Sequence, residues 1–393
     1  MPSDTHNNHA RTTGTRVIAF GDPLDSRTFS GYARSLCLAL RHKAMLHDTV
    51  SCRIVRPHDA LFGAIDLTPM LRGGRPRLSR SWLWKARTVR TLSSRVNAVL
   101  ASRDSAGSLL QVGTLVRPDA RFGPHDVVTD MTIPQAAEAG FFEVSRLGPR
   151  HLAEAVRVQR DVLEHARTVF TLSQWAADSV VRDFGVPRER VVPIYAGPNL
   201  DVAVAPGSVE RTRSLVFVGI DWVRKGGPEM LEGFELARKR VPDAELIIIG
   251  CHAPHARPGV RSLGYLPASE PRNRAQISRM LASSRGLCLL SAFDPFPNVI
   301  VEAYAHALPV IAFDAGSRRE IVEHESSGLL VQDRRPETIA DAMVRVLTDD
   351  AWFDRASARA LTLHQQTFNW ERVAETIIGT QSASGATASG GAA

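Results

Sequence analysis

Apolar positions in this chain come in short runs rather than long stripes. VIAF (17–20), LLQVG (109–113), VVT (127–129), TVFTLS (168–173) and VVPIY (191–195) are each closed by Gly or by polar residues, which is the pattern of strands. Between them the spacing predicts helices at 31–43, 81–100, 151–165 and 174–184. The last has both boundaries written in: Ser173 is a good N-cap, and Gly185 ahead of Val186 and Pro187 is a stop. A polar connector around Val202 to Ser214 follows, and from near Arg213 the alternation resumes with SLVFVGI, AELIIIG, VRSLGYL, GLCLLSA, PVIAF and GLLV as strands. Helices are predicted there at about 228–240, 273–285, 298–306 and 336–348. The second set of runs is apolar throughout, as in strands covered on both faces. The pattern predicts an α/β chain of two doubly wound parallel-sheet, Rossmann-like domains facing a central cleft, with ligand sites outside the carboxyl ends of the strands.

Composition changes this picture little. With 44% hydrophobic and 23% charged residues the chain is ordinary globular material. It opens on the polar stretch MPSDTHNNHARTTGT and has no run approaching the roughly 18 apolar residues of a membrane span, so a cytoplasmic protein is expected. Cys37, Cys52, Cys251 and Cys288 have no metal-ligand spacing and read as buried free thiols, with no metal site expected. The SASGATASGGAA end reads as disordered.

Charge adds one feature. The net +7 is carried almost wholly by arginine, with lysine only at Lys43, Lys85, Lys225 and Lys239. Residues 67–103 hold Arg72, Arg75, Arg77, Arg80, Lys85, Arg87, Arg90, Arg95 and Arg103 with no acidic residue, and Trp82, Leu83 and Trp84 lie among them. Two readings fit: contact with an anionic membrane surface, with tryptophan at the headgroups, or a solvated basic helix face. No nucleic-acid recognition motif accompanies the charge, so nucleic acid is not an expected partner.

Candidate chemistry falls at strand ends. FVGIDWVRKGGPEML (217–231) is a strand, turn and helix start, with Lys225, Gly226 and Gly227 just before Pro228. Glycines let a backbone approach an anion, and an ammonium supplies the countercharge; a solvent-facing lysine in a turn is the plainer alternative. In SAFDPFPNVIVEAYAHALPVIAFDAG (291–316), Asp294 precedes a helix beginning near Asn298 and Glu302 lies one turn inside it. The pair is either a helix-dipole arrangement or a cradle in which carboxylates accept hydrogen bonds from sugar hydroxyls beside a helix N-terminus. Gly316, Ser317 and Glu320 follow the PVIAF strand, as loop donors or as an ordinary strand-to-helix connection. Near the start, Ser30 and Gly31 open a helix without GxGxxG, and Asp130 and Thr132 follow the VVT strand, either facing the cleft or forming a turn.

Taken together, these segments resemble glycosyltransferase family 4, the retaining group 1 glycosyl transferases of GT-B fold. The likeness runs from the turn at Gly31 through EHARTVFTLSQWAADSVVRDFGVPRERVVPIYAGPNLD (164–201) to FNWERVAETI (368–377). It implies a disordered tail over 1–15, an acceptor-side domain over 16–205 and a nucleotide-sugar-binding domain over 206–366. A terminal helix at 367–380 would cross back to the first domain, ahead of a disordered tail at 381–393. It also implies roles. Glu302 would bind the ribose hydroxyls, and Asp294, where the family commonly has glutamate, would contact the donor hexose near its reacting carbon. Phe296, Pro297, Asn298 and Val299 would line the sugar and diphosphate. Lys225, six residues after Gly219, matches the diphosphate lysine, and Arg224 would supply a second cation because Ile220 stands where the usual arginine is. Gly316 to Glu320 matches the loop near the donor, Gly31 would approach the diphosphate from the first domain, and Asp130 stands near the place of a first-domain catalytic histidine. The activity implied is transfer of a sugar from a nucleoside diphosphate sugar to a carbohydrate or lipid-linked acceptor hydroxyl with retention. No cofactor or metal beyond the sugar nucleotide is implied, and the protein would sit peripherally on the inner membrane face in polysaccharide or glycolipid assembly. A catalytically silent sugar-nucleotide-binding protein and a GT-B epimerase remain as alternatives.

Overall fold

A computed structural model describes residues 14–52, 65–66, 77–78, 81–145, 147–202, 204–253 and 256–389. The expected N-terminal tail up to residue 13, residues 67–76 and 79–80 of the basic interval, and the last four residues lie outside these. The chain divides into two compact units, the first of Met1–Phe170, Ser179–Val192 and Ile377–Ala393, the second of Thr171–Asp178 and Pro193–Thr376. The second unit starts ahead of the 202–214 connector because its own C-terminal elements hold the preceding segment. Trp370 Nε1 donates to Pro198 O at 2.8 Å, and a Cβ on Gly197 would fall 2.5 Å from the Trp370 ring.

In the first unit the elements run β1 (Thr15–Phe20), α1 (Tyr32–His42), β2 (Leu46–Cys52), a two-residue antiparallel pair β3 (Ile65–Asp66) and β4 (Arg77–Leu78), α2 (Ala86–Ala101), β5 (Ser108–Val112) and β6 (His125–Thr129). Then come α3 (Ile133–Glu138), α4 (Phe142–Ser145), α5 (Pro149–His165), β7 (Val169–Thr171), α6 (Gln174–Phe184) and β8 (Val191–Pro193). The six-stranded sheet has the order β2-β1-β5-β6-β7-β8, so its order reverses between β1 and β5. The polar-laced edge strand β2, LHDTVSC, is only half-buried over Leu46–Thr49, which is why its apolar signal is weak. Helix α2 turns Val89, Leu92, Val96 and Leu100 inward and leaves Arg87 and Arg90 exposed. Its apolar stripe is thus spent on the core it shares with Ile18, Val50 and Leu109. Leu83 is buried, and Trp84 packs against Ile133, Ala136, Val144 and Ala155. Trp84 is thus partly buried against this cluster, while Arg87 and Arg90 on α2 face outward.

The second unit continues with β9 (Ser214–Val218), α7 (Gly227–Arg240), β10 (Glu245–Ile249), β11 (Val260–Gly264), α8 (Pro271–Ser283), β12 (Gly286–Leu289), α9 (Asn298–Ala305), β13 (Val310–Phe313), α10 (Arg318–Ile321) and β14 (Gly328–Val331). It closes with α11 (Pro336–Thr348), α12 (Asp350–Gln366) and α13 (Trp370–Ser389), which runs on into residues counted with the first unit. Its sheet is parallel in the order β11-β10-β9-β12-β13-β14, with the reversal between β9 and β12. Leu215, Phe217, Ile248 and Cys288 meet Met230 and Phe234 of α7, Met343 and Val346 of α11 and Trp352 of α12 in one core.

The expected disordered tail from 381 is corrected: α13 stays helical to Ser389. A buried acid explains its docking. Asp126 is fully buried and accepts from Arg167 Nε at 2.9 Å and from Gln381 Nε2 at 2.9 Å, while Gln381 Oε1 accepts from Thr15 Oγ1 at 2.8 Å. A buried carboxylate needs such donors, and they need it. Asp126→Ala should destabilise the protein by about 3 kcal/mol, because it strands these donors. Gln381→Ala should cost about 1 kcal/mol. Urea unfolding midpoints at a common m-value would measure both.

Candidate functional site

The site is built where the second sheet reverses. Two loops leave neighbouring strands there, 219–226 after β9 and 290–297 after β12, and they touch through backbone. Gly226 has φ +77°, and a Cβ on it would sit 1.9 Å from Leu290 O, so only glycine fits. Gly227 is equally confined, because its Cβ would enter the Trp222 ring at 2.2 Å. Ala292 N–H donates to Arg224 O at 3.3 Å, tying the loops together. Inside the first loop, Lys225, Gly226 and Gly227 donate their amides back to Asp221 O, Val223 O and Trp222 O at 3.1, 3.1 and 2.8 Å. Gly219 is pressed by Lys225, whose Cγ would lie 3.0 Å from a Cβ there. This winding starts α7 with Gly226 as N-cap and Pro228 in the first turn, where a missing N–H is harmless. Pro297 caps α9 in the same way, with Ile300 N donating to its carbonyl at 2.9 Å.

Closing the loops brings Lys225 Nζ onto Asp294 Oδ2 as an ion pair, with the two side chains only 15% and 10% exposed. Asp294 also acts on the buried guanidinium of Arg318, opposing the lowering of its pKa by burial. Arg318 Nε is anchored on Phe313 O at 2.9 Å. Arg224 stays on the same loop pair, its Nη1 3.5 Å from Phe293 O and its Nε 3.5 Å from Asp221. Glu302 is half-buried on α9. Burial pushes its carboxyl up to about 7, against the Asn199 backbone N–H and the Lys225 ammonium, which both favour the charged form. Four of the expected residues, Lys225, Arg224, Asp294 and Glu302, thus fall within electrostatic or hydrogen-bonding reach along one set of loops.

Three buried polar atoms around this group have no partner in the protein: Ser291 Oγ and Asn298 Oδ1 on the β12–α9 segment, and Ser317 Oγ at the start of α10. Ser291 and Ser317 are fully buried. Buried hydroxyls and amides are normally satisfied, so unsatisfied ones on the segments that carry Asp294 and Arg318 suit a polar ligand. Phe296 and Val299 flank the start of α9. Both are buried, at 5% and 8% exposure, so what they can offer a ligand is the backbone of a helix start. Asn298 presents its side chain as well.

Glu320 has another task. Its Oε2 accepts from Gln174 N at 2.7 Å and its Oε1 from Trp175 N at 2.9 Å, and the Tyr195 hydroxyl also bonds to it. It caps the start of α6 rather than reaching for a donor, and burial raises its pKa against those bonds. Gly316 has φ +57°, and a Cβ on it would lie 3.8 Å from the Trp175 ring; Trp175 stacks edge-on against Phe293 at 6.2 Å. In the first unit, Gly31 is left-handed at φ +87° and caps α1, after Phe29 and Ser30 at φ 50° and 55°. Asp130 is half-buried just past β6. Thr132 is a helix cap: its hydroxyl accepts from Gln135 N at 3.3 Å and pairs with Ser179 Oγ at 2.6 Å, which settles it as a turn residue. Sequence reasoning missed Asn199, Arg318, Ser291 and Tyr195. Only Arg318, one residue past the Gly316–Ser317 turn, carried a usable signal.

The comparisons with known proteins agree with this architecture. Sucrose-phosphate synthase from Thermosynechococcus elongatus superposes with TM-score 0.68 over 96% of this chain and 100% of its own, at 18% identity. Anabaena Alr3699/HepE, solved with UDP and glucose, gives 0.61 over 94% and 99%, at 15% identity. The fold is therefore that of the GT-B class. Residues 212–349, which carry Lys225, Asp294 and Glu302, match the model of the glycosyl transferases group 1, and that segment belongs to this family. The D-inositol 3-phosphate glycosyltransferase of Jonesia denitrificans is 31% identical over 44% of this chain and 44% of its own. The Rhodococcus erythropolis protein of the same name is 27% identical over 68% and 64%. The matches span about half to two-thirds of these relatives' lengths. Among the described residues no helix is long and apolar enough to cross a membrane.

The raised Glu302 pKa makes a prediction about stability. The folded protein keeps a proton on Glu302 between the ordinary value of 4.5 and about 7, where the unfolded chain has released it. The stability tied to the neutral carboxyl is therefore full below 4.5 and is lost as pH rises through about 7. Glu302→Gln stays neutral throughout. Its melting temperature relative to the wild type should rise between pH 4.5 and 8, by the equivalent of about 2 kcal/mol after allowing for partial exposure. A flat difference would show that Glu302 titrates normally.

Proposed function

We propose that the protein is a retaining glycosyltransferase that moves a sugar from a nucleoside diphosphate sugar to an acceptor hydroxyl. The observation that carries this reading is the Lys225–Asp294 ion pair between the loops that lead into α7 and α9, with the unpartnered buried Ser291 and Asn298 on the β12–α9 segment and Ser317 at the start of α10. Helix starts and a lysine favour a diphosphate. Glu302, held by the Asn199 amide, suits the ribose hydroxyls. The UDP in the related Anabaena structure supports a nucleoside diphosphate, and the names of the curated relatives support a hydroxyl acceptor.

In this scheme the diphosphate departs as the glycosidic bond breaks. Lys225, Arg224 and the amides of the helix starts take up its developing charge by preorganised electrostatics, with no metal in the scheme. The acceptor attacks from the face that the diphosphate leaves, and the diphosphate takes the acceptor proton, so retention needs no carboxylate nucleophile. A carbohydrate or lipid-linked acceptor in polysaccharide or glycolipid assembly belongs to the same reading. So does contact of Arg87 and Arg90 with an anionic bilayer on the cytoplasmic side, supported by their exposure on α2.

A panel of UDP-, GDP- and ADP-sugars should contain at least one that raises the melting temperature and is turned over with the anomeric configuration kept, as read by NMR of the product. Stabilisation by none of them would refute the reading. Lys225→Ala should lower turnover by roughly 10²–10³-fold, the scale of one lost charge-stabilising donor; near-normal transfer would remove Lys225 from the mechanism.

A further inference from the structure

The partner of the Lys225 ammonium in this structure is Asp294, and the two side chains are largely covered. A covered ammonium resting on a carboxylate exchanges that carboxylate, not water, for any anion that arrives. Arg318 is also buried within reach of the Asp294 charge and is held by Phe313 O, so Asp294 has a second cation to face once Lys225 turns away. Arg224 is more exposed and makes only 3.5 Å contacts with Asp221 and the Phe293 carbonyl, so Lys225 is the cation that must give up a covered carboxylate. Ser291 and Ser317, buried and without partners, fit a ligand that carries its own acceptors.

We propose that Asp294 is a positioning residue that holds the Lys225 ammonium and competes with a diphosphate for it, weakening diphosphate binding and hastening its release. This rests on the reading that Lys225 meets a nucleoside diphosphate. It gives Asp294 a different task from contact with the donor hexose, and the two tasks part experimentally. A competing carboxylate acts on every ligand that carries the diphosphate. A sugar ligand acts only on those that carry the sugar.

The test is calorimetric titration of the full chain with UDP, GDP and ADP, with the matching nucleosides, and with the nucleoside diphosphate sugars. For whichever diphosphate the wild type binds, Asp294→Asn should tighten affinity about tenfold, the scale of one partly screened charge. It should leave the nucleoside unchanged and slow diphosphate dissociation in stopped flow. Asp294→Glu should restore wild-type affinity. In a Lys225→Met background Asp294→Asn should have no effect. Asp294→Ser serves as the second neutral variant if the asparagine form does not fold. Unchanged or weaker diphosphate affinity in the neutral variants, with loss confined to the sugar-bearing ligands, overturns the proposal and returns Asp294 to the sugar. If the wild type binds no nucleoside diphosphate, the functional reading itself fails, an outcome separate from the first.

Discussion

Gly226 is the constraint on which the second unit's site depends. Its left-handed backbone lies against Leu290 with no room for a Cβ. That contact lets the loop after β9 close on the loop after β12, which the sheet order has already made neighbours at the reversal point. The consequences are local and cumulative: Trp222 folds over Gly227, Arg224 O receives Ala292 N, and Lys225 meets Asp294. An alanine there would have to move backbone, not a flexible side-chain end, so the ion pair and the start of α7 would shift together.

The electrostatics of the site follow from that closure. Lys225, Arg224 and Arg318 stand against Asp294 and a Glu302 whose burial keeps it mostly protonated below about 7. With Glu302 neutral the group carries excess positive charge in a partly covered setting, where charges act more strongly than in water. An anion is the ligand such a balance favours. The neutral Glu302 can also donate a hydrogen bond, which an ionised carboxylate cannot, so its protonation state bears on how it would meet a hydroxyl.

Much of this was legible in the sequence because it was written in local chemistry. Short apolar runs marked the strands of both sheets except the polar-laced edge strand β2, Ser173 and Gly185 bracketed α6, and α11 falls at 336–348 as the spacing predicts. Lys225 stood out as one of four lysines beside two glycines. What stayed hidden depends on contacts distant in sequence. Asn199 matters through a backbone N–H, which any residue but proline supplies, so its side chain advertises nothing. Glu320 had the right composition for a ligand, yet its oxygens are taken by amides some 145 residues away in sequence. The Ser/Ala-rich end reads as disordered by composition, but Gln381 gives α13 a buried partner in Asp126. In the basic interval, the packing of Leu92, Val96 and Leu100 of α2 into the core depends on Ile18, Val50 and Leu109, which the interval itself does not contain.

The first unit repeats the topological device, with an Arg27–Asp25 ion pair in the loop after β1. Its sheet also reverses, between β1 and β5, and there too a left-handed glycine meets the opposing loop: Gly113, at φ +86°, lies against the ring of Phe29. Phe29 and Ser30 are themselves left-handed without being glycine, a conformation costing of order 1–3 kcal/mol each and kept only where the surroundings impose it. Here they are imposed by burial of Thr28, by the edge contact of Phe29 with Tyr32 at 6.1 Å, and by the α1 start at Gly31. Close backbone approach shapes the second reversal point, at Gly226 against Leu290, and a lysine, two arginines and unsatisfied buried hydroxyls stand behind it. Sheet order alone creates two equivalent positions for a ligand. The grouping of Lys225, Arg224 and Arg318 with unpartnered polar atoms is what suits the position in the second unit to an anion.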